Sequence, residues 1–198
     1  MSITGGLIGG GGGGGLSEAQ VDARVVAVTS GGRDEWIPIE NFVDDTAPPA
    51  AIALTQPIGG GGFAARYRGF SASVDNRLFV PNLFLKRWDA GAINLYCFWT
   101  SLASSDTGNV TWSMSAKCFG DGDSISSYLS SDITVNDAGQ GANKLHISPA
   151  MTITPGSAGK GKLVSIYVKR AGGSDSFVAV AGLLGVLVEY TTDAPTDD

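Results

Sequence analysis

The stretch that most constrains the fold runs from residue 93 to residue 119, where apolar and polar side chains alternate along two arms. The first arm reads INLYCFWTS and the second reads VTWSMSAKCF, with the polar segment LASSDTGN between them. An alternation of period two marks a β-strand that buries one face. Trp99 and Trp112 lie on the inward parity and supply large apolar area. We therefore predict a long β-hairpin at the core of a β-sandwich.

The chain after residue 34 has the same β character. Short runs rich in β-branched and aromatic residues alternate with turn-forming segments such as 45–49, 120–123 and 155–156. Eight or more strands in a unit of this length predict an all-β fold, an antiparallel sandwich or jelly roll. We expect three parts: a glycine-rich appendage with one short helix over residues 1–33, the jelly-roll domain over residues 34–191, and a polar tail over residues 192–198.

Charge and hydropathy argue against several classes of partner. The 198 residues carry a net charge of −6 with only 13 Lys and Arg, so there is no basic face to bind nucleic acid. The longest apolar run, residues 177–188, is shorter than the roughly 20 residues that span a bilayer. The opening MSITGGLIGG lacks the basic and apolar regions of a signal peptide. We expect neither nucleic-acid binding nor membrane insertion.

The two cysteines, Cys97 and Cys118, both fall on the inward parity of the alternating arms. In a hairpin centred near Ser105, the two positions are offset by about five residues, or about 17 Å at the rise of a strand. A disulfide needs Cα atoms within about 7 Å of each other. We therefore predict two reduced cysteines in the core.

The first fifteen residues are dominated by glycine, with an unbroken run from Gly9 to Gly15. Polyglycine has no side chains to bury, so a flexible linker is one interpretation. The other is an anchor that orders when it docks on a particle, since glycine lets two backbones approach closely. The residues that would make this contact are Ile3, Leu7, Ile8, Gly9, Gly12 and Gly15.

Residues 16–28 predict a helix, because Ser17 and Gln20 have the spacing of a capping box. Three valines repeat at helical spacing on one face: Val21, Val25 and Val28. A helix this short is marginal alone and must pack on something. It either packs on its own domain or forms a short bundle with two other copies.

The last predicted strand, within residues 177–191, contains AGLLGVLVEY and is apolar on both faces. In an antiparallel sandwich this pattern indicates one face in the core and one face against another subunit, although a covering loop would explain it equally well. The residues that we assign to an oligomer interface here are Leu184, Val186 and Val188.

No group of residues has the pattern of a catalytic site. His146, the single histidine, lies in a predicted strand without a nucleophile elbow nearby. Asp121 and Asp123 flank a glycine as calcium ligands can, but the other ligands of a calcium loop are missing, so we expect a solvated turn. Trp88 ends a strand at a turn and is the tryptophan that we expect to be most exposed, although we favour the interpretation that it caps the core. We predict no enzyme activity and no cofactor.

The whole pattern resembles virion proteins of tailed bacteriophages. The segment GGGLSEAQVDARVVAV is similar to the short anchor helices that open many phage fibre proteins. The block from KRWDAGAINLYCFWTS through VTWSMSAKCFGDGDSI to LVSIYVKRAGGSDSFVAVAGLLGVLVEY is similar to a jelly-roll domain of phage structural proteins.

This resemblance implies a homotrimeric fibre, decoration or adaptor protein on a capsid or tail, located in the virion. Its partners would be two further copies and other virion proteins, and its head could touch a host surface glycan. Because the predicted helix is short and the β domain follows at once, the resemblance favours a stubby protein over a long tail fibre. The alternative is a free carbohydrate-binding module with a β-sandwich fold.

Overall fold

A computed structural model describes residues 31–45, 53–54, 65–101, 108–125, 132–173 and 175–193. Within these ranges it contains twelve β-strands and a 3₁₀ turn at Ile39–Asn41. The strands are β1 (Gly31–Pro38), β2 (Val43–Asp44), β3 (Ala53–Leu54), β4 (Arg66–Phe70), β5 (Arg77–Leu83), β6 (Trp88–Ser101), β7 (Asn109–Phe119), β8 (Ile133–Ala138), β9 (Leu145–Ile147), β10 (Met151–Ile153), β11 (Leu163–Arg170) and β12 (Ala181–Thr192).

The strands form two antiparallel sheets that pack face to face. In the described residues, the seven-stranded sheet has the order β10-β6-β12-β4-β3, with β1 also paired to β12 and β9 to β6. The five-stranded sheet has the order β2-β5-β11-β7-β8. From β4 to β7 each successive strand crosses to the other sheet, as in the double Greek key of a jelly roll. The predicted all-β jelly-roll fold is confirmed.

The predicted central hairpin is wrong, although both of its strands exist. β6 pairs with β12, β9 and β10, whereas β7 pairs with β11 and β8 in the other sheet. Trp99 on β6 and Trp112 on β7 face each other across the core, with ring centroids 6.2 Å apart. Alternation shows which face of a strand is buried but does not show its partner, so two strands on opposite sides of one core look like a hairpin.

The core lies between the inner faces of the two sheets. Trp99, Trp112, Cys97 and Cys118 are fully buried there, as the alternation predicted. Both cysteines are free, so the prediction of reduced core thiols is confirmed. Their separation does not come from an offset within one hairpin, as we assumed. The two cysteines lie on strands of opposite sheets.

The boundaries of the β domain differ slightly from the prediction. β1 begins at Gly31, within the segment that was assigned to the appendage. β12 begins at Ala181 and ends at Thr192, so residues 177–180 precede it. The predicted helix and the docking segment lie outside the described residues, and with them Ile3, Leu7, Ile8, Gly9, Gly12, Gly15, Val21, Val25 and Val28.

The two ends of the sandwich are different. Gly31 pairs with Thr192, so β1 begins and β12 ends at the same end, which we call the base. The other end, the tip, carries the segments 71–76, 139–144 and 171–180, the last without residue 174, which lies outside the described residues. Backbone hydrogen bonds hold the last two of these segments to the tip ends of β6 and β7, for example from Asn143 to Ser101.

Candidate functional site

The three residues assigned to an oligomer interface on β12 do not form an exposed surface. Val186 and Val188 are fully buried in the chain's own core, so their assignment to an interface is wrong. Leu184 is half-buried and lies where the register of β12 shifts against β6, between Leu183 and Gly185. Because of this irregularity, Leu183 faces inward, Gly185 faces outward and Val186 faces inward again. A strict alternation along the strand would have placed Gly185 on the same face as Leu183.

The outward face of the seven-stranded sheet carries apolar and aromatic side chains, but these are not the valines that we assigned to it. Directly paired residues of antiparallel strands share a face. Leu187 of β12 is paired with Trp36 of β1 and with Tyr96 of β6. In the next row towards the tip, Phe98 is paired with Gly185 and, on its other side, with Ile147.

Trp36 is the exposed tryptophan of the described chain. Its relative exposure is 45%, whereas Trp88 is 3% exposed and part of the core. The core-capping interpretation of Trp88 is therefore confirmed, and its ranking as the most exposed tryptophan is wrong. The indole lies against the backbone of Gly185: a Cβ atom there would lie 2.6 Å from two atoms of its six-membered ring. It also meets Phe98 edge-on, with ring centroids 5.1 Å apart. The ring is therefore held in place while nearly half of it faces solvent.

The ring of Tyr67 on β4 packs in the same way against Gly182, which lies three residues before Gly185 in β12. A Cβ atom on Gly182 would lie 2.9 Å from Cδ2 of the Tyr67 ring. Glycine inside a strand commonly marks such a close approach. Gly182 and Gly185 were therefore the signals in the sequence that an aromatic ring lies across this strand. We call Trp36, Tyr67 and Phe98 the aromatic platform.

A row of polar side chains borders the platform on the same face, one step towards the base. Asp34, Glu189, Asn94 and Thr152 are paired in this order across β1, β12, β6 and β10. The Thr152 hydroxyl donates to the Asn94 Oδ1 at 2.7 Å. We call these four residues the polar row. Two residues along a strand separate it from the Trp36 row, which is about 7 Å.

Tyr96 joins the Trp36 row to the polar row. Its hydroxyl donates a hydrogen bond of 2.8 Å to the Glu189 Oε2. This hydrogen bond, with burial and the negative charges of Glu189 and Asp34, raises the pKa of Tyr96 above its usual value. Glu189 is thereby fixed in position as a hydrogen-bond acceptor.

The tip contains a fully buried ion pair between Arg170 and Asp175. The Arg170 Nε donates to the Asp175 Oδ2 at 2.7 Å, and neither side chain is exposed. The same guanidinium donates to the carbonyl oxygens of Phe70, Ala179 and Phe177. These bonds fix the segment 171–180, which holds Val178 out in solvent at 82% exposure.

His146 lies in strand β9, as predicted, and is buried in the core. Its ring stacks on Trp99 with centroids 4.1 Å apart. Burial lowers the pKa of His146, and the nearby Asp137 partly offsets this effect. Asp137 is itself engaged, since it accepts a hydrogen bond of 2.6 Å from the Trp99 Nε1. His146 is therefore placed as a core residue.

The segment with Asp121 and Asp123 forms an exposed turn. The Asp123 Oδ2 accepts a hydrogen bond from the Gly120 backbone N–H at 2.8 Å and lies 3.5 Å from Lys162 Nζ. The hydrogen bond, followed by the charge of Lys162, lowers the pKa of Asp123. Among the described residues, no three His, Cys, Asp or Glu side chains are grouped to hold a metal ion.

Comparison with known proteins adds a distant structural similarity. No family model matches the sequence, and no curated protein matches it. Among solved structures 19 chains match, including an arabinose-bound α-L-arabinofuranosidase with 10% sequence identity and a TM-score of 0.47. That match covers 78% of this chain and 24% of the enzyme, and we draw no functional conclusion from it.

A search for membrane-spanning elements was negative within the described ranges: they contain no helix with the length and apolarity to cross a bilayer.

Proposed function

We propose that this chain is a structural protein of a tailed bacteriophage particle, without enzyme activity. In this role it is a homotrimer that docks on the capsid or tail through its N-terminal segment and projects its jelly-roll head. The forms that the resemblance offers are a head fibre, a decoration protein and a short tail fibre. The partners are two further copies, other virion proteins and a host surface glycan.

The observation that carries this proposal is the polarity of the jelly roll. The N-terminal segment joins the fold at Gly31, at the base, while the segments 71–76 and 171–180 lie at the opposite end. A docked N-terminus would therefore leave the tip and the sides of the head free. The resemblance of the sequence to phage virion proteins also supports an assembling subunit.

The experiment that tests the oligomeric state is light scattering on the full chain and on a shortened chain that begins at Gly31. Gly31 is the appropriate start, because a chain beginning at Asp34 would lack three residues that pair with β12. We expect a trimer for the full chain and a monomer for the shortened one. A trimer for both chains would place the interface in the head. A monomer for both chains would contradict the proposed homotrimer.

Docking is tested separately by deleting residues 1–15 and measuring binding to phage particles that lack the protein. We expect binding to be lost while the head stays folded, as judged by its thermal unfolding. Binding of the deleted chain at the level of the full chain would contradict an N-terminal anchor.

A second candidate function is a free carbohydrate-binding module. The exposed Trp36 on the aromatic platform favours it. This function requires a monomer that binds saccharide without any particle, so the light-scattering experiment separates the two proposals.

A further inference from the structure

We infer that the aromatic platform and the polar row together form a binding site for a neutral or amino-sugar saccharide. The inference rests on the proposed function, in which the head faces outward and meets a surface glycan, and it names the site and the class of ligand. The site lies on the outward face of the seven-stranded sheet, around Trp36.

The first argument is the way in which Trp36 is held. The indole packs against Gly185 and against the edge of Phe98, so it is already ordered before any ligand binds. A preordered ring costs little conformational entropy on binding. The π face of an indole carries negative potential, which suits the polarised C–H groups on one side of a pyranose ring.

The second argument is the reach of the platform. Tyr67 is seated on Gly182 and Trp36 on Gly185, two positions that lie three residues, or about 10 Å, apart along β12. Two ordered rings at such a distance provide contacts for successive units of one oligosaccharide. A short linear glycan can therefore lie along β12 with more than one unit in contact.

The third argument is the chemistry of the polar row. Glu189 and Asp34 offer carboxylate oxygens that accept hydrogen bonds only, and sugar hydroxyls are donors that match them. Tyr96 orients Glu189 through their hydrogen bond. Asn94 adds an amide beside them, itself positioned by Thr152.

The same row selects against other occupants of this face. None of the described residues in the polar row or in the rows of Trp36 and Phe98 is Lys or Arg. A second copy packed face to face would bring like charges together, and an apolar protein segment would remove the carboxylates of Asp34 and Glu189 from water. For the same reason uronic and sialic acids should be repelled.

Accessibility of the site is tested first, by quenching tryptophan fluorescence of the full chain with iodide and with acrylamide. The other three tryptophans are 3% exposed or less, so quenching reports on Trp36 alone. We expect acrylamide to quench a fraction of the emission that the Trp36→Phe variant lacks. If the full chain shows no such fraction, its own N-terminal segment or another copy covers the face, and the inference is wrong.

Binding is tested by calorimetric titration with neutral hexasaccharides of glucose, mannose, galactose and N-acetylglucosamine, beside a hexuronate. We expect at least one neutral hexasaccharide to bind and the hexuronate not to bind. Trp36→Ala should weaken binding roughly tenfold, as for one lost aromatic contact, and Glu189→Gln should weaken it to a lesser extent. The matched control is Phe84→Ala, an exposed aromatic residue in the connection after β5, which should leave binding unchanged.

Binding of none of the neutral hexasaccharides, or equal affinity of the Trp36→Ala variant, would overturn the inference. Either result is independent of the proposed function, because trimer mass and particle docking do not involve Trp36. Conversely, saccharide binding by a chain that is monomeric and does not dock would refute the proposed function and leave the site intact.

Discussion

Two glycines on β12 determine how aromatic rings lie on the surface of the seven-stranded sheet. Gly182 and Gly185 lie in a strand that is otherwise rich in leucine and valine, where glycine weakens a sheet unless something occupies the vacant space. Here a tyrosine ring and an indole ring occupy it. A side chain at either position would have to displace an aromatic residue.

Replacement of Gly185 by alanine should therefore move Trp36 and destabilise the fold. The new Cβ atom would lie 2.5 Å from the Ile37 carbonyl oxygen and 2.6 Å from the indole, so backbone or ring must shift. We expect a loss of about 1–3 kcal/mol in the free energy of unfolding, measured with urea. The control is Gly32→Ala on β1, where nothing lies within 4 Å. Equal effects of the two substitutions would contradict this account.

His146 makes stability depend on pH in a predictable direction. Burial lowers its pKa below the usual 6.5, while Asp137 on β8 raises it and Lys144 lowers it further. The unfolded chain therefore binds a proton that the folded chain does not, so the stability contributed by the neutral ring is present above pH 6.5 and is lost as the pH falls below it.

The measurement is the free energy of unfolding between about pH 7 and pH 5 for the native chain and for His146→Phe. The phenylalanine keeps an aromatic ring on Trp99 but does not titrate. We expect the free energy of unfolding of the variant to increase relative to that of the native chain as the pH falls. Parallel pH profiles would show that His146 does not titrate on unfolding.

At the scale of elements, the buried Arg170–Asp175 pair links β11 to the segment 171–180. Its guanidinium donates to the backbone carbonyl of Phe70 on β4 and to that of Ala179 within the segment. Asp175 also accepts a hydrogen bond from the Thr111 backbone N–H at 3.3 Å. The charged pair and the buried ring of Phe177 thus fix this connection together.

The variant Asp175→Ala should lose about 3–5 kcal/mol of stability, because it leaves a buried guanidinium without its counter-ion. The control is Glu40→Gln, which removes the partner of Arg66 in an ion pair whose side chains are 62% and 37% exposed. Solvent screens such a pair, so we expect little change. Thermal unfolding of both variants measures the contrast, and similar losses would refute the role of burial.

The elements also mark the limit of what the sequence predicts. Alternation identified the strands and placed Trp99 and Trp112 in the core, because the period of side chains along a strand is local. It could not show that β6 and β7 belong to different sheets, since strand partners are set by contacts between distant residues such as Val186 and Cys97. Trp36 was missed as a site residue because its exposure depends on Gly185 of a strand far along the chain.

For the whole molecule, the position of each strand in its sheet predicts how slowly its amides exchange. β12 and β6 are inner strands of one sheet, and β11 and β7 are inner strands of the other, whereas β8 and β10 end the strand order in their sheets. We expect the slowest hydrogen exchange, measured by mass spectrometry, in the four inner strands and faster exchange in β8 and β10. Slowest exchange in β8 would contradict the strand order.

β12 is the strand to which β1, β4 and β6 all pair, and it is also the last of the described strands to leave the ribosome. Until β12 has been synthesised, β1, β4 and β6 therefore have unpaired edges, and Trp36 and Tyr67 lack the two glycines on which they pack. Long-range pairing of this kind is slow and leaves strand edges free to aggregate. The seven-stranded sheet is thus completed late in translation or after it. We expect a nascent chain that stops before β12 to remain incompletely folded and to bind chaperones.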